Sequence, residues 1–258
     1  MTAAARPARV VVGRAPVYRS PEPGAPLDTH YHYGEEVLVL AATRRHAHCR
    51  AAIDGYAGYV AARHVALGAA PAPTHYIANL GAYAYRTADL RGPPVDFLPR
   101  HAAVVVADTG TRTRGTEYAR LDRGWFLPLA CLATAPPRSP DLVSAALLYL
   151  GCPYLWGGKS FLGLDCSGLV QQAFRDLGIA VPRDSADQAA AIGTPADPGE
   201  LRRGDLIFIP GHVMIADGEG GVVHADGLTM TVRRDAIADL VAAGRLDLAR
   251  ATVRRPGL

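Results

Sequence analysis

The sequence predicts an α+β domain preceded by two small all-β barrels. Three observations carry that prediction. Two Pro-rich connections, Gly68–Pro73 (GAAPAP) and Thr134–Pro140 (TAPPRSP), cut the 258 residues into three pieces. A pattern of short strands and turn signals occurs twice before the second connection. After Pro140 the period changes to a helical one. The expected domains are residues 1–70, 71–136 and 137–258.

The first two pieces resemble each other. One runs APVYRS, a loop, GEEVLVLAA, CRAAIDGYAGYV and HVAL; the other runs GAYAYRT, a loop, AAVVVADT, YARLDRGWFLP and ACLA. In both, a Tyr-Arg pair leads into a variable loop, an apolar strand follows, and Gly-aromatic precedes the last short strand. This reads as a divergent tandem repeat of a small barrel. In the third piece Asp141–Leu150 opens on an N-cap residue, carries apolar residues at helical spacing and stops at Gly151. Ser167–Leu177 is a second helix, ended by Gly178, and Asp184–Ile192 a third. Strands are expected at Asp205–Ile209, His212–Ala216 and Val222–Ala225, with a fourth at Thr229–Arg233. Helices first and an antiparallel sheet after them is an α+β order.

Composition narrows the function classes. No apolar run approaches the ~20 residues that cross a bilayer, so no membrane partner is expected. The first thirty residues lack the charged start, apolar core and small-residue cleavage site of a secretion signal; the expected location is the cytoplasm. Net charge is +6 over residues 1–140 and −3 over 141–258, with no basic block or aromatic-interleaved patch suited to nucleic acid. Four cysteines are too few for a disulfide scaffold, and none has zinc-site spacing. Cys49, Cys131 and Cys152 sit in apolar settings and are expected to be buried small hydrophobes.

Cys166 differs. It lies between Asp165 and Ser167 at the opening of the second helix, where the helix dipole is expected to favour the thiolate and lower its pKa. A nucleophile also needs a base and a group that orients the base. His212 opens one expected strand and His224 ends the next, so their side chains can meet across the pair. From spacing alone, two half-exposed strand histidines and a buried cysteine are the better description.

The surrounding residues add to this. Tyr154-Leu155-Trp156-Gly157-Gly158, Asp165-Cys166-Ser167-Gly168-Leu169-Val170, Pro182-Arg183-Asp184-Ser185, Gly204-Asp205-Leu206-Ile207-Phe208, Gly211-His212-Val213-Met214-Ile215 and Val223-His224-Ala225 occur in this order. Together they resemble the NlpC/p60 family of papain-like cysteine peptidases, which cleave bacterial cell-wall peptides. The Gly-Glu strand and the Asp54-Gly55-Tyr56-Ala57-Gly58 hairpin resemble bacterial SH3-like domains; the second copy lacks the Gly-Glu pair. Two such modules before the peptidase resemble the branch of γ-D-glutamyl-L-diamino-acid endopeptidases.

That resemblance implies Cys166 as nucleophile, His212 as base and His224 as the orienting residue. Tyr154 would hold the oxyanion together with the Cys166 backbone N–H, although a core tyrosine is an alternative. Trp156 is expected to pack, and Gly157 and Gly158 to free a turn. For a stem peptide beginning L-Ala-γ-D-Glu, Asp165 is the candidate for the ammonium, and Ser167, Asp184 and Ser185 for the carboxylate; helix capping is their plainer role. Asp28 and Tyr56 would close one end of the cleft, making the enzyme a reader of free N-termini. No metal or organic cofactor is implied, the partner is a muropeptide stem, and the chain is expected to be a monomer. The second barrel is expected to be a spacer.

The implied activity is hydrolysis of the γ-D-glutamyl–diamino acid bond in cell-wall peptide recycling. Its rivals are an exported endopeptidase that remodels intact peptidoglycan, a catalytically silent SH3-like binding module, and an amidase or acyltransferase on the same scaffold. The sequence does not choose between diaminopimelate and lysine as the diamino acid.

Overall fold

The computed structural model describes residues 5–69 and 71–258. Ala70, the expected end of the first barrel, and residues 1–4 lie outside the described residues. The chain forms two compact units, Met1–Pro137 and Arg138–Leu258.

The N-terminal unit holds two apolar cores. Seven strands form the first sheet, in the order Leu27–His32, Arg14–Tyr18, Ala57–Ala61, His46–Ala51, Glu36–Ala42, Arg6–Val10 and Val65–Leu67. Alternate residues point inward, so Val10, Val17, Val37, Val39, Cys49 and Val60 build one core. The hairpin before Ala57 turns at Gly55, whose φ of 73° suits glycine. Asp54 accepts the Tyr56 N–H there, and the Tyr31 hydroxyl donates to the carbonyls of Cys49 and Tyr56. A five-stranded and a three-stranded sheet follow around a second core of Ile77, Leu98, Leu121 and Leu127.

The second β region packs directly on the first. Tyr33, which follows the strand Leu27–His32, is buried in the second core and packs on Trp125 with ring centres 5.9 Å apart. Gly13 donates its N–H to Asp96 at 2.7 Å, and a Cβ at Gly13 would collide with the Phe97 carbonyl. Gly34 meets Ala103 in the same way. Backbone-to-backbone contact of this kind leaves no room for a flexible joint, so the two cores form one unit. Cys131 is half-buried at its edge, where it accepts from the Asn79 amide. It is not the core residue expected.

In the C-terminal unit the helices are α1 (Leu142–Leu147), α2 (Cys166–Asp176), α3 (Ser185–Ala191) and α4 (Ile237–Ala242). Its strands are β1 (Thr194–Pro195), β2 (Leu206–Ile209), β3 (His212–Ala216), β4 (Gly221–Asp226), β5 (Thr231–Ala236) and β6 (Thr252–Arg255), in the order β1-β6-β2-β3-β4-β5. α1 ends earlier than its apolar run: Asp141 caps it through the Ser144 N–H, but only six residues stay helical. The sequence does not predict β6 and α4, because residues 237–255 alternate too irregularly to show a period, nor β1, which is only two residues long. α2 lies against α1, β3 and β4 and buries Leu169, Val170, Ala173 and Phe174. Among the described residues no helix is long and apolar enough to cross a membrane.

Candidate active site

Cys166 is the first residue of α2 and is 7% exposed. The start of α2 is built by its neighbours. Asp165 caps it, accepting the Gly168 N–H at 2.7 Å and the Gly157 N–H at 2.8 Å. Gly157 turns the chain at φ 73°, and a Cβ at Gly168 would strike the Gly158 carbonyl. The Trp-Gly-Gly and Asp-Cys-Ser-Gly runs are therefore two halves of one close backbone contact. Trp156 itself is 64% exposed, which corrects its expected role in packing: the turn needs the glycines and points the indole outward.

Arg183, which sequence reasoning left without a role, ties this corner together. It is buried, and its guanidinium grips both oxygens of Asp165, at 2.6 and 3.0 Å. It also donates to the Ser167 hydroxyl at 2.9 Å and the Gly158 carbonyl at 3.3 Å. Asp165 is thus an ion-paired cap, not the open carboxylate expected for an ammonium. Its signal in the sequence was an arginine within an otherwise polar Pro-Arg-Asp-Ser turn. Ser167 is buried beside Arg183, Asp184 is exposed at the cap of α3, and Ser185 is half-buried at the first position of that helix.

On the sheet, Gly211 at φ 74° closes the tight turn that joins Ile209 to His212. Ile215 pairs with Val223 and Val222 with Asp235. Those registers set His212, His224 and Asp235 on successive diagonals of three adjacent strands, a spacing long side chains can bridge. His212 Nε2 lies 2.8 Å from His224 Nδ1, and His224 Nε2 lies 3.1 Å from Asp235 Oδ2. The carboxylate fixes the order of protons. Asp235 requires a hydrogen on His224 Nε2, which leaves His224 Nδ1 an acceptor; His212 Nε2 then donates, and His212 Nδ1 keeps a free lone pair. Asp235 escaped the sequence reading because β5 was expected to end at Arg233; its signal was a carboxylate two residues beyond the partner of His224.

Electrostatics keep these groups neutral. Burial pushes the Cys166 thiol up and the Asp165 charge adds to this, while the N–H groups of Val213 and Ser167 and the charge of Arg183 oppose it. The net direction is upward. The pKa lowering expected from the helix start is overturned, because a buried thiol beside a carboxylate loses more than one helix terminus returns. Burial lowers His212 to about 4, helped by His224 and Arg245. His224 is also lowered by burial, against the pull of Asp235 and Asp226. Tyr154 is raised to about 12 by burial and by the nearby Cys166 and Asp165, so its hydroxyl is a donor at neutral pH.

Two cavities, each of about 310 Å³, share Ile209 and Gly211 beside His212, which itself lines the first of them. One is lined by Tyr154, Asp226, Leu228 and Arg245, the other by Ser185, Ala189, Phe208 and Arg250. His224, Asp226 and Asp235 are near enough together to share a metal ion. Each is already engaged: Asp235 with Arg233 and His224, Asp226 with Arg245 and the Thr229 hydroxyl. Two arginines beside that group disfavour a cation.

Asp28 and Tyr56 belong to the N-terminal unit. Arg19 holds both carboxylate oxygens of Asp28, at 2.8 and 3.3 Å, and Tyr56 is half-buried at the hairpin.

Residues 151–245 match the NlpC/P60 family. The chain carries an NlpC/P60 domain. Residues 17–65 match the bacterial dipeptidyl-peptidase SH3 domain. The chain is 36% identical over 97 residues to a γ-D-glutamyl-L-lysine dipeptidyl-peptidase of Bacillus cereus, an alignment covering 34% of this chain and 29% of that protein. It is 42% identical over 95 residues to the peptidoglycan endopeptidase RipB of Mycobacterium tuberculosis, covering 30% and 39%. These matches span about a third of the relatives' lengths. A crystal structure of an NlpC/P60 family protein from Bacillus cereus superposes with a TM-score of 0.77 at 20% identity, covering 96% of this chain and 99% of that one; the likeness is one of fold. Cys166, His212, His224 and Asp235 all fall within the NlpC/P60 domain.

Proposed function

We propose that the protein is a cysteine peptidase that hydrolyses the γ-D-glutamyl–diamino acid bond of free stem peptides bearing an N-terminal L-Ala. The observation that supports it most is the line from Asp235 through His224 to His212, which leaves one imidazole lone pair beside the strand whose Val213 N–H faces Cys166.

The Cys166 sulfur attacks the γ-carbonyl carbon of D-Glu as its proton passes to His212 Nδ1. The Cys166 backbone N–H and the Tyr154 hydroxyl hold the oxyanion. The carbon–nitrogen bond then breaks, His212 returns the proton to the leaving amine, and a thioester remains on Cys166. Water, activated by the same imidazole, adds to the thioester and releases L-Ala-γ-D-Glu and the thiol. Ser167 and Ser185 offer hydroxyl donors to the free α-carboxylate of D-Glu, with Asp184 at the same helix start.

In this reading Asp28 and Tyr56 carry the requirement for a free N-terminus. Arg19 is an exposed partner, so its pair with Asp28 is worth about 0–1 kcal/mol, and a substrate ammonium can replace it. The strand pattern of residues 74–133 supports reading that region as a divergent second SH3-like barrel. Free stem peptides as substrates also carry the expectation of a cytoplasmic monomer working in cell-wall peptide recycling.

A paired digestion tests this, read by mass spectrometry. One sample holds free L-Ala-γ-D-Glu-diaminopimelate and the other the same stem attached to N-acetylmuramic acid. Cleavage of the free peptide alone is expected. Equal cleavage of both removes that requirement for a free N-terminus and favours remodelling of intact peptidoglycan; turnover of neither leaves a binding module.

A further inference from the structure

The two cavities beside His212 differ in what they offer. In the proposed reaction the D-Glu carboxylate lies at Ser167 and Ser185, and Ser185 lines one cavity. The leaving amine, on the far side of the scissile bond, therefore enters the other, where Tyr154, Leu228, Asp226 and Arg245 meet. We propose that Arg245 reads the leaving residue: its guanidinium binds a carboxylate at the far end of the diamino acid side chain, so that diaminopimelate is preferred over lysine. This rests on the reading given under Proposed function.

The geometry supports a binding role for Arg245. Its side chain is about a third exposed (30%), and Asp226 Oδ1, 2.8 Å from Nη2, is its one side-chain partner among the described residues. Asp226 is an anchor already filled by the Leu228 N–H at 3.0 Å and the Thr229 hydroxyl at 2.8 Å. The guanidinium is thus held in place by one N–H, while the rest of its planar fork remains to meet a carboxylate. Leu228, 77% exposed, supplies an apolar face for the methylenes between the two ends of the diamino acid. Diaminopimelate carries a carboxylate at its far end, which can face the open side of the Arg245 guanidinium. Lysine ends in a bare ammonium, which the guanidinium repels. His212 and Arg245 line the same cavity, which places the guanidinium within reach of the reacting bond.

The test measures kcat/KM of the full chain on three peptides: L-Ala-γ-D-Glu-meso-diaminopimelate, the same peptide amidated at the distal carboxylate, and L-Ala-γ-D-Glu-L-Lys. Expected is a preference of about tenfold for the first over the other two, the scale of one charge-assisted hydrogen bond at a part-exposed site. Arg245→Gln is expected to bring the ratio between the first and third peptides to about one. Should that variant fail to fold, the amidated peptide on the unaltered protein decides the question alone. Equal cleavage of all three, or a preference that survives in folded Arg245→Gln, overturns the role of Arg245 and leaves γ-D-glutamyl cleavage standing. No cleavage of any peptide overturns both.

Discussion

Two buried thiols in the C-terminal unit show how the main chain can set the proposed nucleophile apart from a structural thiol. Cys152 follows the turn after α1, is fully buried, and its thiol donates to the Phe161 and Ser160 carbonyls. Cys166 begins α2 and its sulfur accepts from the N–H groups of Val213 and Ser167. Burial raises both pKa values, that of Cys152 to about 12. Three carbonyl oxygens, of Pro153, Ser160 and Phe161, outweigh the single Gly163 N–H around Cys152, whereas two N–H groups receive charge as it develops at Cys166. Apolar surroundings are common to both; the polarity of the nearest backbone separates them.

The hardest test of that contrast is to delete each sulfur. Cys166→Ala is expected to lower kcat by at least ~10⁴-fold, as loss of a nucleophile does elsewhere, with the circular dichroism spectrum unchanged. Cys152→Ala is expected to keep turnover within about twofold, since a structural thiol adds nothing to the transition state. Comparable losses in both would mean that Cys152 takes part and that backbone polarity does not discriminate.

A second, smaller effect sharpens the role of the histidine line. Asp235→Asn removes the charge that fixes the hydrogen on His224 Nε2, and with it the ordered tautomer of His212. An effect of about 10- to 100-fold is expected, the usual scale for a group acting through another, and it should fall on kcat with KM little changed. A loss confined to KM would place Asp235 in substrate binding.

The acid side of the pH profile carries a third expectation. His212 is held neutral by burial, with its pKa lowered to about 4, so in its proposed role as base it stays competent as pH falls through the ordinary imidazole value. The expected acid limb of kcat/KM lies near pH 4 rather than 6.5. Stability moves differently. The unfolded chain binds its proton first, near pH 6.5, so the contribution of neutral His212 is complete above that value and is lost as pH falls toward 4. The Cys166 thiol is raised, so its alkylation by iodoacetamide should keep accelerating to pH 9 and above. A plateau already reached by pH 6 would reveal a thiolate–imidazolium pair and overturn the neutral resting state.

Legibility from the sequence followed the strength of local signals. α2, α3 and β2–β4 could be placed because caps, a closing Gly and short apolar runs coincide with their ends. Cys166 and His212 could be named because each begins such an element, and His224 because it lies near the end of β4. Asp235 and Arg183 could not, since their meaning lies in strand register and in a buried ion pair, which no spacing displays. The pKa of Cys166 was misjudged for a related reason: the helix start is local, while burial and the Asp165 charge emerge only on packing. The N-terminal unit shows the same limit. Strands were readable, but the fusion of two cores through Gly13, Gly34 and Tyr33 is a tertiary fact.

The smallest expected effect returns to Cys152. Replacing its buried sulfur by hydrogen in Cys152→Ala removes one polarisable atom from the junction of α1 with the Lys159–Leu164 turn, and it withdraws a weak donor from the Phe161 carbonyl. A cavity smaller than a methylene pair and one lost S–H contact together cost about 1 kcal/mol. That is a fall of a few degrees in the melting temperature of the C-terminal unit. Cys152→Ser separates the two contributions. A hydroxyl restores the donor but brings a polar group into a fully buried site, so a variant less stable than Cys152→Ala assigns the role of Cys152 to apolar packing. Recovery of the original melting temperature assigns it to the hydrogen bond.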